Sequence, residues 1–81
     1  MKLHELKIKE EYALAKIQGK KTFEIRLDDR NYQVGDLIHY TVEENQRLNN
    51  VLKNNVYQIV YITDYNQKGA YVVFAEKQLN K

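Results

Sequence analysis

Lys20, Lys21, Glu24 and Arg26 fall within one eight-residue run, Gly19-Lys20-Lys21-Thr22-Phe23-Glu24-Ile25-Arg26. Glu24 and Arg26 are two positions apart. On a strand such residues share a face, about 7 Å from each other. They can pair along that face or line a cleft together. The Arg26 guanidinium is a planar fork suited to a phosphate or a base edge. Glu24 would hold that fork or accept from an amino group itself. The same residue types also fit a solvated strand face with a surface ion pair, worth at most about 1 kcal/mol. Strict alternation groups Lys21 with Phe23 and Ile25 on the opposite side. Either Lys21 escapes the pleat at the start of the strand, or Lys20 is the residue that faces the cleft. Thr22 adds a hydroxyl on the Glu24 face. Arg30, after Asp28 and Asp29, extends the basic rim.

Other side chains with chemical potential are few. His4 has the parity of Leu6 and Ile8, which favours an inward, hydrogen-bonded imidazole over a cleft residue that touches a ligand. His39 reads as structural or exposed. Two His at no ligand spacing, with no Cys, argue against a metal site, and no cofactor is expected. The absence of Cys also excludes a disulfide scaffold and a thiolate nucleophile. Three scattered Gly cannot build a phosphate-cradling loop. Tyr32, Tyr40, Tyr57, Tyr61, Tyr65 and Tyr71 read mostly as amphipathic packing residues. One or two of them exposed near a cleft would stack on bases.

These residues need elements to position them. Lys2–Ile8 alternates loosely and reads as a first strand. Glu10–Gln18 reads as a short helix, with Glu10 and Glu11 at its positive end and Ala13, Leu14 and Ile17 as its apolar stripe. Gly19 closes it. Lys21–Leu27 is the clearest strand: Phe23, Ile25 and Leu27 are expected inside, and Thr22, Glu24 and Arg26 on a polar face. Asp28–Gly35 is a loop. Leu37–Glu43 and Asn55–Thr63 are strands, the second apolar on both faces and therefore central. Asn45–Lys53 is a helical turn or a long loop, with its Asn pairs against a stable helix. Asp64–Gly69 is a turn and Ala70–Lys77 a last strand. The expected fold is mostly β with one short early helix, an α+β arrangement. Its strands form a small, mostly antiparallel barrel with the helix plugging one opening, or an open sheet with the helix on one face.

Length and charge bound the rest. A chain of 81 residues holds one domain, here spanning 1–81. Its apolar runs, such as Ala70–Ala75, are too short for a transmembrane helix, which needs about 20 residues. Met1–Lys7 lacks the apolar core of a secretory signal, so a cytoplasmic protein with no membrane partner is expected. The formal charge is +2. Residues 1–30 carry eight Lys/Arg and six Asp/Glu, whereas residues 31–81 carry five of each. The whole excess therefore sits around the motif.

The run Gly19-Lys20-Lys21-Thr22-x-Glu24-x-Arg26 resembles the G-x-K-x-x-E-x-R signature of the ASCH domain, the activating-signal-cointegrator homology domain of the PUA-like superfamily. The similarity extends to His4-Glu5-Leu6-Lys7-Ile8, to Tyr32-Gln33-Val34-Gly35-Asp36 and to Gly69-Ala70-Tyr71-Val72-Val73. It is closest to a small bacterial and phage-associated branch of uncharacterised function. The resemblance implies a PUA-like β-barrel of about five strands. It also implies binding of RNA, single-stranded or carrying a modified base, or of a nucleotide. The cleft would be lined by Lys20, Lys21, Glu24, Arg26 and Arg30, with His4 and Thr22 as further cleft candidates. One ASCH branch consists of amidohydrolases acting on acylated cytidine, with a Lys and a Thr nucleophile in the motif. Lys21 matches that Lys, but Glu24 stands where the Thr would be, and the insertion carrying the acid/base Glu is replaced by the turn 64–69. Catalysis is therefore not expected. An amidohydrolase-like enzyme and a protein-interaction module remain the alternatives.

Overall fold

The computed structural model describes residues 1–80. Its elements run β1 (Leu3–Lys7), α1 (Glu10–Ile17), β2 (Phe23–Leu27), β3 (Leu37–Thr41), α2 (Gln46–Leu52), β4 (Tyr57–Thr63) and β5 (Tyr71–Gln78). The five strands form one curled sheet in the order β1-β3-β4-β5-β2. The β1–β3 pair is parallel and the other three are antiparallel. This is a half-barrel with α+β composition, in keeping with the expected class. β4 lies in the middle of the sheet, as its two apolar faces imply. A register shift between Ile59 and Tyr61 reverses its facing. Tyr57 and Ile59 are buried before the shift, and Tyr61 is exposed after it.

The sheet curls without closing. β1 and β2 are its two edges, and no Cα of one comes within 8 Å of a Cα of the other. One side chain spans the seam: Arg26 Nη2 donates to the Lys7 carbonyl over 3.0 Å. The core lies inside the curl, built from Ile38, Tyr40 and Val42, with Ile59, Val72 and Phe74 from the neighbouring strands.

Three expectations need correction. The stretch 45–53 contains a true helix, α2, although Asn is a weak helix former. The Asn side chains hold it in place: Asn45 Oδ1 caps the helix by accepting from the Leu48 amide, and Asn49 Oδ1, from mid-helix, accepts from the Val42 amide of the preceding segment. Leu52 then anchors α2 in the core. The second correction concerns α1, whose buried residues are Ala13 and Lys16, while Leu14 is exposed. Gly19 ends the helix with φ of +76°, the left-handed conformation the sequence implies.

The third is the largest. β2 is turned inside out: Phe23, Ile25 and Leu27 face outward, while Glu24 is 4% exposed and Arg26 lies beside it in the curl. The reason is electrostatic. Lys16 reaches the interior from α1, and an unpaired buried ammonium is costly. Turning Glu24 inward gives it a carboxylate. On β5, Glu76 follows Val72 and Phe74 to the same inner face and supplies a second.

Candidate functional site

The centre of the site is a buried ionic cluster. Lys16 Nζ lies 2.9 Å from Glu24 Oε2 and also donates to Glu76. The Tyr40 hydroxyl donates to the other oxygen of Glu76, and the Lys16 ammonium sits 4.6 Å from the centre of the Tyr40 ring. Toward the surface, Lys21 Nζ donates to Glu24 Oε2 over 2.5 Å and Arg26 Nε donates to Glu24 Oε1 over 3.1 Å. Three cations thus meet two carboxylates, leaving one positive charge in excess. Burial pushes the Glu24 carboxyl up, but the field of Lys16 and hydrogen bonds from Lys21 and Lys16 outweigh it. Glu24 is held below the usual carboxylate range. Burial, reinforced by Glu76 and Glu24, drives the Tyr40 hydroxyl far above the normal phenol range, so it remains a donor.

A cavity of about 470 Å³ opens over the outer edge of this cluster. It sits on the seam and is lined by Lys21, Glu24 and Arg26, by Ile8 and Lys9 after β1, and by Tyr12, Phe23 and Ile25. The Lys21 ammonium lies 5.1 Å from the Phe23 ring centre and 5.5 Å from that of Tyr12. A second cavity, of about 420 Å³, continues along the seam beyond Arg26 and includes Arg30, Tyr32 and Asp29. Arg26 lines both cavities. Its Nε and Nη2 are committed to Glu24 and Lys7, and among the described residues Nη1 makes no hydrogen bond.

The sequence-derived candidates divide accordingly. Lys21, Glu24 and Arg26 come together on the first cavity, and Arg30 joins Arg26 on the second. Lys20 and Thr22 are exposed and line neither. The alternation problem at Lys21 disappears, because β2 begins at Phe23 and Lys21 reaches the cluster from before it, with a second bond to the Phe23 carbonyl of 2.8 Å. His4 also lines neither cavity. It is buried, donates to Asp36 over 2.8 Å, and packs on Tyr32 with ring centres 4.8 Å apart. Asp36 accepts in addition from the Lys2 and Gln33 amides. Its burial raises the carboxyl, and these three donors reverse that, holding it below the usual range. The pair ties β1 to the start of β3.

Sequence reasoning passed over Lys16, Glu76 and Tyr12, and read Tyr40 only as a packing residue. The first two left a signal. Glu76 has the parity of Val72 and Phe74, and Lys16 lies one turn from Ala13 on the buried face of α1. Opposite charges at two inward positions announce a pair.

His39 is bound at both ring nitrogens, Nδ1 to Glu5 at 2.8 Å and Nε2 to the Lys53 carbonyl at 2.9 Å. A carboxylate and a carbonyl only accept, so the protonated imidazole, with a donor at each ring nitrogen, is the form this site favours. The Glu5 hydrogen bond raises its pKa, burial opposes this, and the net direction is upward. Among the described residues no group of three or more His, Cys, Asp or Glu is placed to hold a metal ion, and no helix is long and apolar enough to cross a membrane.

No curated protein matches the chain. A family model does, over residues 3–75, and it is described as a domain of unknown function, DUF3850. That span begins in β1 and ends in β5, so it takes in both edges of the seam, the motif strand and Lys16 on α1. A match over residues 3–75, most of the chain and not one motif, means that the chain belongs to the DUF3850 family, although Glu76 of the cluster falls just beyond the matched span.

Proposed function

We propose that this chain is an ASCH-like module of PUA-like type that binds RNA, or a nucleotide or modified base, on the seam between β1 and β2. The observation that carries the reading is the 470 Å³ cavity in which Lys21, Glu24 and Arg26 of the motif meet Tyr12 and Phe23. The surplus positive charge of the ionic cluster favours an anion there. Glu24 is fully engaged by three cations, so it positions Lys21 and Arg26 and does not read a base. Arg26, clamped at two nitrogens, offers Nη1 to a phosphate. Tyr12 and Phe23 supply aromatic faces, each worth about 1–3 kcal/mol when a base stacks. A single-stranded segment running along the seam would meet Arg30 at the second cavity. RNA as ligand implies a cytoplasmic protein.

The test is a titration of fluorescently labelled single-stranded RNA, followed by anisotropy, against wild type and Arg26→Ala. Neutralising two phosphates with Lys21 and Arg26 gives a logarithmic salt slope of about −1.4. Removal of Arg26 is expected to weaken binding by about tenfold or more. An absence of binding at low salt, or equal binding by a folded Arg26→Ala protein, overturns the proposal.

A further inference from the structure

The inversion of β2 leaves an apolar surface where solvent would be. Strand register arranges it in three rows. Phe23 pairs with Ala75, which pairs with Tyr61; Ile25 pairs with Val73, which pairs with Thr63; Leu27 pairs with Tyr71. Phe23 is 44%, Ile25 55%, Leu27 46%, Tyr61 64% and Tyr71 45% exposed. These eight residues include no charged side chain; the cluster takes up Glu24, Arg26 and Glu76 on the opposite face of the same strands.

We propose that this outer face of β2, β5 and β4 is a homodimer interface, covered by the same face of a second copy. The area argues for it. Phe and Tyr carry about 150–250 Å² each, so three half-exposed aromatics with Ile25 and Leu27 make a face of roughly 500 Å². That is at the upper end for a lone monomer patch, and doubled it reaches about 1,000 Å², where specific interfaces begin. Charge argues for like meeting like, since the face has no charge for a partner to complement. A two-fold axis through the Ile25–Val73 row lays the Phe23–Tyr61 row of one copy on the Leu27–Tyr71 row of the other. This is the isologous geometry of cyclic dimers, built as two sheets stacked face to face about 10 Å apart. Phe23, Ile25 and Leu27 then occupy the interior position that their alternation demands. The inference does not rest on what the seam binds, but Phe23 and Ile25 also line the 470 Å³ cavity, so the interface shares a rim with that site.

Sedimentation velocity across about 5–500 µM tests the interface, whose modest area implies micromolar self-association. Wild type is expected to move from 9.7 kDa toward twice that mass. Tyr61→Glu/Tyr71→Glu is expected to associate at least about 100-fold more weakly. The chain has no Cys, so a single introduced thiol reports proximity. Val73→Cys, at the axis, is expected to oxidise to a cross-linked dimer faster than Arg47→Cys on α2. Wild type that stays at monomer mass throughout overturns the proposal. So does a folded double variant that still dimerises, or equal cross-linking by the two Cys variants. If the double variant unfolds, the cross-linking comparison decides.

Discussion

Replacing Lys16 by Met keeps the unbranched apolar stem, one atom shorter, and removes the charge. In the wild type the ammonium is 1% exposed and serves both Glu24 and Glu76. After the substitution Glu24 keeps Lys21 and Arg26, but Glu76 keeps only the Tyr40 hydroxyl. Breaking a buried pair by removing one partner costs about 3–5 kcal/mol, because the other charge stays buried. A domain of 81 residues has about 4–12 kcal/mol of stability in total. The loss is therefore a large share, and at about 4–8 °C per kcal/mol the melting temperature falls by at least about 12 °C. Lys16→Met/Glu76→Gln removes the stranded carboxylate while an amide can still accept from Tyr40. It is expected to recover at least about half of the loss. Urea denaturation followed by circular dichroism, on wild type, single and double variants, measures both steps. A single variant within about 1 kcal/mol of wild type would refute the reasoning, as would a double variant no more stable than the single.

Asn45→Ala removes the α2 cap and is expected to cost about 1 kcal/mol by the same assay; no measurable change would mean that α2 does not depend on this bond. His39 has a raised pKa, so its stabilisation is complete below the unfolded value of about 6.5 and fades as pH rises through the higher folded value. The stability gap between wild type and His39→Gln should shrink between pH 6 and 9, and a constant gap would contradict a cationic His39. Glu24 and Asp36 have lowered pKa values, so their stabilisation is present above about pH 4 and is lost as pH falls through the lower folded values. Asp36→Asn is expected to show a smaller loss of stability than wild type on acidification below pH 4, and parallel acid unfolding of the two would count against the His4–Asp36 tie.

The strands were legible from alternation because each pairs over most of its length and carries apolar residues at every second position. α1 was legible from its acidic start and terminal Gly. α2 was not, because helix propensity undervalues Asn residues whose side chains cap and tie the helix. The motif residues Lys21, Glu24 and Arg26 were found from residue type and resemblance, but their facing was read backwards. Alternation fixes which residues of β2 share a side. It does not fix which side is inside when one face is apolar and the other must neutralise a buried lysine. That information lay in Lys16 and Glu76, 60 positions apart, and only their opposite charges at inward positions connect them. The seam was invisible for another reason: it is the distance between two edges that never pair, and local sequence does not encode it.

The central claim is that the seam cavity binds RNA through Lys21 and Arg26. The most direct measurement is an amide and side-chain NMR titration of labelled protein with a short single-stranded RNA. The account predicts shifts concentrated at Lys21, Arg26, Tyr12 and Phe23, with Arg30 following as the strand lengthens, and little change at His4 and Asp36. Shifts confined to other surfaces, or none at saturating RNA, would contradict it.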